Sequence, residues 1–229
     1  MARIVVALAI AFAAHAAAAA TPALRVLLVG NSYTYMNDGI DVVLGKLASQ
    51  SKTARIAVGG YHLEQFASEG KVRDALAAQR YDVVVLQEQS QTPVMFTHTF
   101  RAGVLALDRQ IRAAGARTAL LMTWERPDSA GQGVTTANLA AAYKGVGSEI
   151  GARVAPAGLA FARALRQRPT LTLVSDDGHP TPAGTYLAAC VLYATLFGES
   201  PVGNPYSDPQ VPAEPRAFLQ RVAAEAAGY

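Results

Sequence analysis

The apolar run Val83-Val84-Val85-Leu86 constrains the fold of this chain more than any other segment. It belongs to a predicted strand at 81–86, and successive side chains of a strand point to opposite faces of its sheet. Strands that are apolar on both faces are typical of parallel sheets covered by helices on each side. The run therefore predicts a sheet in the interior of the molecule.

Strand-like and helix-like segments alternate along the rest of the chain. Further strands are predicted at 24–29, 55–58, 118–123 and 153–155, and helices at 38–50, 63–80 (interrupted at Gly70), 100–114, 135–150, 182–197 and 212–227. The alternation predicts an α/β fold, a three-layer α/β/α sandwich with a mostly parallel, doubly wound, flavodoxin-like sheet. Ligands bind beyond the carboxyl ends of such strands, so we expect the site after Val29, Val58, Leu86 and Thr123.

The first 20 residues predict a secretory signal peptide. Arg3 gives a positive start, residues 4–14 are apolar, and Ala18-Ala19-Ala20 supplies the small residues of a cleavage site. An uncleaved anchor is the alternative, but a spanning helix needs about 20 apolar residues. We expect an exported bacterial protein, periplasmic or secreted, with one domain at 21–229 and no stable membrane insertion after cleavage.

The composition bears on partners and on redox chemistry. Hydrophobic residues make up 51% of the chain and charged residues 16%, which argues against disorder. The formal net charge is +3, or +2 without Arg3, so we expect no nucleic-acid partner. Cys190 is the one cysteine in the sequence, which excludes an intramolecular disulfide; its helical spacing with Leu187 predicts a buried apolar role.

Ser32 follows the first predicted strand, in Gly30-Asn31-Ser32. A serine on a tight turn between a strand and a helix exposes its hydroxyl, and nearby backbone N–H groups point toward it. The alternative is that Ser32 only caps the next helix.

His179 stands near the other end of the chain, in Asp176-Asp177-Gly178-His179-Pro180. A neutral histidine can take the proton of a serine hydroxyl near pH 7. A carboxylate on the other ring nitrogen fixes the tautomer, and Asp176, three residues earlier, can supply it. A surface turn is the alternative, but the presence of Ser32 upstream favours a catalytic interpretation. The sequence contains no G-x-S-x-G elbow, which disfavours the α/β-hydrolase fold.

The two blocks Gly30-Asn31-Ser32 and Asp176-x-x-His179 resemble the first and last blocks of the SGNH (GDSL-type) hydrolases. Asparagine replaces the commoner aspartate of the first block. The resemblance extends over the mature chain in order and spacing. It implies a serine esterase that needs no cofactor and no metal, with Ser32, Asp176 and His179 as catalytic residues.

The resemblance also implies an oxyanion hole built from the backbone N–H groups of Ser32 and of a glycine after the second strand. Gly60 is similar in position to that glycine, and Gly59 is the alternative. The third block of the family, Gly-x-Asn-Asp, is replaced here by Gln87-Glu88-Gln89-Ser90. Gapless alignment indicates Gln89 as the side-chain donor, whereas similarity to a subgroup with Gln-x-x-Ser indicates Gln87, which we rank first.

The remaining predictions concern the pocket and the substrate. Asn31, Tyr33 and Trp124 are candidate pocket residues, and Glu88 lacks the second carboxylate that a glycosidase would need. Export and the Gln-x-x-Ser similarity favour acetyl or short-chain O-acyl esters on carbohydrate or cell-envelope substrates. A periplasmic O-acyltransferase acting on a glycan and a catalytically silent carbohydrate-binding relative are the alternatives. The sequence does not predict the oligomeric state.

Overall fold

The computed structural model describes residues 22–229, so the predicted signal peptide at 1–20 lies outside the described residues. Five strands form one parallel sheet: β1 (Arg25–Gly30), β2 (Lys52–Ala57), β3 (Val83–Leu86), β4 (Arg117–Leu121) and β5 (Arg153–Ala155). Their order is β2-β1-β3-β4-β5, the flavodoxin-like order of a doubly wound sheet. The predicted fold class is confirmed.

Ten α-helices connect and cover the strands in the described part of the chain. They are α1 (Ser32–Tyr35), α2 (Ile40–Leu47), α3 (Leu63–Glu69), α4 (Lys71–Ala78), α5 (Thr92–Met95), α6 (Thr97–Ala113), α7 (Thr136–Ile150), α8 (Ala157–Gln167), α9 (Pro182–Phe197) and α10 (Ala213–Ala227). Gly70 has a φ of +79° between α3 and α4, which confirms the predicted interruption. Helix α8 is not among the predicted helices, although its apolar and charged residues segregate to opposite faces at helical spacing.

The sheet separates two apolar cores. Val26 and Leu28 of β1 face the core that contains buried residues of α2, α8, α9 and α10. Leu27 and Val29 face the other core, with residues of α3, α4, α6 and α7. Burying one such side chain contributes about 1.5–3 kcal/mol relative to exposure, so the alternation along β1 fixes which side chains face which layer.

Helix α9 lies inside the first core, and 13 of its 16 residues are buried. Cys190 is fully buried in this helix, as predicted, and burial raises the pKa of its thiol well above the ordinary value. The thiol is therefore protonated and inaccessible. No helix within residues 22–229 has both the length and the apolar character needed to span a bilayer.

The carboxyl ends of β1 and β3 lie side by side and carry the candidate site. Val29 pairs with Leu86, so the residues after each strand meet at one edge of the sheet. Gly30 ends β1 at a point where a Cβ would lie 2.4 Å from Oε1 of Gln87. Glycine is required here because the next strand's side chain approaches the backbone this closely.

Candidate active site

Ser32 and His179 meet above the carboxyl end of β1. Oγ of Ser32 lies 2.9 Å from Nε2 of His179, and Nδ1 of the same ring lies 2.8 Å from Oδ2 of Asp177. A carboxylate only accepts hydrogen bonds, so Nδ1 donates to Asp177 and Nε2 is left to accept from the serine hydroxyl. The arrangement has the geometry of a nucleophile, a base and an orienting acid.

The acid in this arrangement corrects the prediction that placed Asp176 in contact with the ring. Asp177, two residues before His179, occupies that place, and Asp176 is an exposed residue of the turn. Oδ1 of Asp177 accepts the backbone N–H of His179 at 3.1 Å, a local turn bond that leaves Oδ2 facing the ring. The short local bond therefore decides which aspartate is aligned.

Asp177 is ionised, and its side chain is 68% exposed to solvent. The hydroxyl of Ser175 lies 2.6 Å from Oδ1 and, with the backbone and ring of His179, holds the pKa of the Asp177 carboxyl well below its ordinary value. Hydrogen bonds to the charged form favour that form. The carboxylate is thus ionised at neutral pH.

The turn that carries the histidine is closed by its own backbone. Val174 and Pro180 form an antiparallel bridge, and the N–H of Gly178 donates to the carbonyl of Ser175 at 2.9 Å. Gly178 has a φ of +88°, which favours glycine at this position. The sequence therefore folds 174–180 locally, and the aspartate and the ring come from one short segment.

Trp124 packs against the turn that carries His179. It does not line the cavity of Ser32, so its prediction as a pocket residue was wrong. It is 1% exposed and its indole N–H donates to the carbonyl of Gly178 at 3.3 Å. Its ring stacks between Tyr33 and Phe161, with centroid distances of 4.6 and 4.3 Å. The stack connects the first core of the molecule to the histidine turn.

Gln87 is buried, and both the oxygen and the nitrogen of its amide are hydrogen-bonded to protein. The prediction that ranked Gln87 first as the oxyanion donor was therefore wrong. Oε1 of Gln87 accepts from the backbone N–H of Asn31 at 2.9 Å and from the hydroxyl of Thr34 at 2.8 Å. Its Nε2 donates to Oδ1 of Asn31 at 3.0 Å and to the carbonyl of Glu88. Gln87 thus holds the turn of the nucleophile and has no donor left for a ligand.

The side-chain amide of Asn31 is hydrogen-bonded to that of Gln87 and also contacts the loop that contains Gly60. Its Nδ2 donates to the carbonyl of Tyr61 at 3.1 Å, next to Gly60, and its Oδ1 accepts the N–H of Tyr33 at 3.2 Å. An aspartate has no donor for the Tyr61 carbonyl, so asparagine ties two loops of the site together.

Gln89 has the free amide that Gln87 lacks. Its Oε1 accepts from the backbone N–H groups of Gln91 and Thr92 and from the hydroxyl of Thr92, at 2.9, 3.2 and 3.1 Å. Within residues 22–229 its Nε2 has no hydrogen-bond partner, and the side chain lines the cavity of Ser32. The three donors on Oε1 orient the amide so that its N–H₂ group stays available.

Backbone donors line the same cavity. Within the described residues the N–H groups of Ser32 and Gly60 make no hydrogen bond to protein, and both residues line the cavity. Gly60 has a φ of +73°, and a Cβ there would meet nothing within 4 Å. Gly59 also lines the cavity, so the structure leaves both glycines as candidates.

Glu88 is a buried carboxyl behind the site. Its side chain is fully buried, and Oε1 accepts the backbone N–H of Gln89 at 2.6 Å while Oε2 accepts that of Leu63 at 3.2 Å. Burial raises its pKa to about 7 in spite of these hydrogen bonds. Nδ1 of His62 lies 3.4 Å from Oε1 of Glu88 and 2.9 Å from the hydroxyl of Thr92. Glu88 connects the Gly60 loop to the end of β3.

The cavity above Ser32 has a volume of about 370 Å³, and polar side chains lie beside apolar surface in its lining. The residues that line it come from the ends of β1, β2, β3 and β4 and from the histidine turn: Asn31, Ser32, Tyr33, Tyr35, Gly59, Gly60, Gln89, Ser90, Arg126, Asp177 and His179.

Asn31 and Tyr33 thus line the cavity as predicted, and so does Tyr35 beside them, whereas Asp177, Ser90 and Arg126 are not among the predicted residues. Arg126 follows the strand end at Thr123, which is the one sequence signal that could have indicated it. Within residues 22–229 no cluster of three or more histidine, cysteine or acidic side chains is arranged to hold a metal ion.

Comparison with known proteins places this geometry in context. No protein-family model and no curated protein matches the chain. A solved structure from Slackia heliotrinireducens, described as a candidate SGNH hydrolase, is 28% identical, with a TM-score of 0.68, over 76% of this chain and 100% of that chain.

Two further solved structures are similar in fold. A protein from Bacteroides uniformis, described as a member of the DUF4886 family, is 19% identical with a TM-score of 0.75, over 91% of this chain and 96% of that one. A structure described as an acetyl xylan esterase is 12% identical with a TM-score of 0.59, over 76% of this chain and all of that one. These two likenesses concern the fold alone.

Proposed function

The chain belongs to the SGNH (GDSL-type) hydrolase superfamily, and from this premise we propose that it is an exported serine esterase. The observation that carries the proposal is the aligned set of Ser32, His179 and Asp177, with distances of 2.9 and 2.8 Å. Export rests on the signal-peptide pattern of the first 20 residues.

The proposed reaction transfers an acyl group first to the enzyme and then to water. Nε2 of His179 takes the proton of Ser32 as Oγ attacks the ester carbonyl, and the protonated ring is stabilised by Asp177. The ring then gives the proton to the leaving alcohol, which leaves an acyl-serine. In the second step His179 takes a proton from water as the water oxygen attacks the acyl carbon, and the ring then gives this proton to Oγ of Ser32 as the C–Oγ bond breaks and the acid is released.

The oxyanion formed in each step needs donors that are not already engaged. We assign this role to the backbone N–H groups of Ser32 and of Gly60 or its neighbour Gly59, and to Nε2 of Gln89, because these groups lack protein acceptors within residues 22–229 and line one cavity. Losing one such donor typically lowers the rate by about 10²–10³.

Four polar side chains in the cavity lining support a substrate that carries polar groups beside its ester. Asn31, Gln89, Ser90 and Arg126 all line the cavity, and such groups stay hydrated unless a ligand pairs with them. We therefore propose acetyl or short-chain esters on carbohydrate or cell-envelope material. One structure of similar fold is described as an acetyl xylan esterase, which agrees with this substrate class.

Hydrolysis of p-nitrophenyl acetate and butyrate by the protein and by Ser32→Ala tests the proposal. We expect turnover that the variant loses and a higher rate with acetate. Release of acetate from an acetylated xylo-oligosaccharide, with and without an added sugar acceptor, separates hydrolysis from acyl transfer. Equal, background rates for both proteins, together with glycan binding that Ser32→Ala retains, would favour the catalytically silent alternative.

A further inference from the structure

Arg126 places a positive charge at the mouth of the candidate site. It lines the cavity of Ser32 and also a second cavity of about 420 Å³ between the Trp124–Pro127 segment and α8. The other charged residue of the first cavity, Asp177, is engaged with Ser175 and His179. Among the described residues that line the cavity, Arg126 is thus the permanently cationic one.

The backbone of Arg126 is fixed by a tight turn. Its N–H donates to Oγ of the buried Ser129 at 3.1 Å, and its carbonyl accepts the N–H of Ser129 at 3.2 Å. The side-chain stem lies against Gly178, where a Cβ would come within 2.7 Å of Nε. The guanidinium is therefore positioned by its surroundings before any ligand arrives.

Part of the guanidinium is free for a ligand. Nε and Nη2 contact Asp128 at 3.1 and 3.2 Å, whereas Nη1 has no partner within residues 22–229. The side chain of Asp128 is 57% exposed and that of Arg126 is 23% exposed. An exposed ion pair of this kind is weak, so an anionic ligand can bind at Nη1 or replace Asp128.

We propose that Arg126 binds an anionic group that the substrate carries beside its ester. Planar guanidinium groups bind carboxylates in bidentate fashion, so the substrate class is an acyl ester of an acidic alcohol, such as a sugar unit with a carboxylate. This inference rests on the proposed function for the ester, while the anion site itself does not depend on turnover.

A purely structural role for Arg126 makes a different prediction. Since its stem packs on Gly178, one residue from His179, loss of the side chain would then slow all esters equally. An anion site instead changes the ratio between an anionic and a neutral ester. The test therefore compares two acetyl esters of similar shape, 4-acetoxybenzoate and 4-acetoxybenzamide.

The experiment measures kcat/KM for both esters in the unaltered protein, Arg126→Met, Arg126→Lys and Asp128→Asn. We expect Arg126→Met to lower the benzoate-to-benzamide ratio about tenfold or more, as for loss of a hydrogen bond to a charged group. Arg126→Lys should keep most of the preference, and Asp128→Asn should raise it. The remote, exposed Arg163→Met is the matched control and should leave the ratio unchanged.

A binding measurement separates failure of this inference from failure of the esterase proposal. Calorimetric titration of Ser32→Ala with both esters, with and without Arg126→Met, reports the anion site without turnover. Tighter binding of 4-acetoxybenzoate that Arg126→Met abolishes supports the anion site even if the unaltered protein hydrolyses neither ester. An affinity ratio and a kcat/KM ratio that are both insensitive to Arg126→Met would overturn it.

Discussion

The two sides of the candidate site are built in opposite ways. The side that carries the nucleophile is buried: Asn31, Gln87 and Glu88 are 3%, 2% and 0% exposed, and the side chain of each makes hydrogen bonds to protein. The side that carries the base is a surface turn, in which the side chains of His179 and Asp177 are 29% and 68% exposed.

This difference predicts how substitutions act. A buried polar group that loses its partner costs stability, whereas an exposed one does not. Changes to the buried groups Asn31, Gln87 and Glu88 should therefore destabilise the protein or shift the pH dependence of its stability. Changes in the histidine turn, or to the cavity-facing amide of Gln89, should alter turnover while the protein stays folded.

The largest effect is expected in the turn, from Asp177→Asn. The amide can place its N–H₂ group against Nδ1, which favours the wrong tautomer of His179, so kcat should fall by about 10²–10⁴. The neighbouring Asp176→Asn is the matched control and should change kcat less than threefold. Steady-state kinetics and thermal unfolding of both variants check this; a larger loss for Asp176→Asn would restore the first prediction of the acid.

A pair of glutamines sharpens the comparison, because Gln87 is buried whereas Gln89 is partly exposed and lines the cavity. Gln89→Ala removes the free donor and should lower kcat by about 10²–10³ with a stability loss near 1 kcal/mol. Gln87→Ala leaves the N–H of Asn31 and the hydroxyl of Thr34 unpaired, so it should destabilise the fold by about 2–4 kcal/mol. Urea unfolding and kinetics separate the two. A Gln87→Ala variant that is folded normally but inactive would contradict the structural role of Gln87 and the donor role of Gln89.

Glu88 makes the stability of the buried side depend on pH. Its pKa is raised to about 7 by burial, so the native state holds this proton more tightly than the unfolded chain does. The stability it contributes is complete below about pH 4.5 and is lost as pH rises through 7, a change of up to roughly 3 kcal/mol.

Urea unfolding of the protein and of Glu88→Gln at pH 5 and pH 8 measures this contribution. The neutral amide should flatten the decline between these two values, and the difference between the proteins isolates the one carboxyl from all other titrating groups. An equal decline in both proteins would contradict a raised pKa for Glu88.

The smallest effect is expected from Thr92→Val. The hydroxyl of Thr92 donates to Oε1 of Gln89 at 3.1 Å, but two backbone N–H groups hold the same oxygen. Loss of one of three donors should lower kcat by a factor between about 3 and 10, with KM unchanged. Thr97→Val, on the neighbouring helix α6, is the control; a changed KM would argue for a role in substrate binding.

The buried framework was predictable from the sequence because apolar patterning reports on burial over many residues. The run at 83–86, the alternation of elements and the break at Gly70 all gave the observed layers. Helix α8 was not predicted, although its apolar and charged residues alternate at helical spacing, so this omission was not forced by the sequence.

The site was predictable only to within one or two residues of each motif. Ser32 and His179 stand at the ends of recognisable blocks, but the choice of Asp177 over Asp176 depends on the left-handed backbone of Gly178 and on one turn hydrogen bond. Likewise, Gln87 and Gln89 are chemically identical, and only burial against Gly30 distinguishes the structural amide from the free one.

Covalent labelling with diethyl p-nitrophenyl phosphate, an organophosphate that reacts with activated serines, tests the central claim most directly. Peptide mapping of the labelled protein should find one phosphoryl group on Ser32, with labelling abolished in Ser32→Ala and slowed by at least 10²-fold in Asp177→Asn. Labelling of a different residue, or labelling of Ser32 at the same rate in Asp177→Asn, would contradict the relay of Ser32, His179 and Asp177.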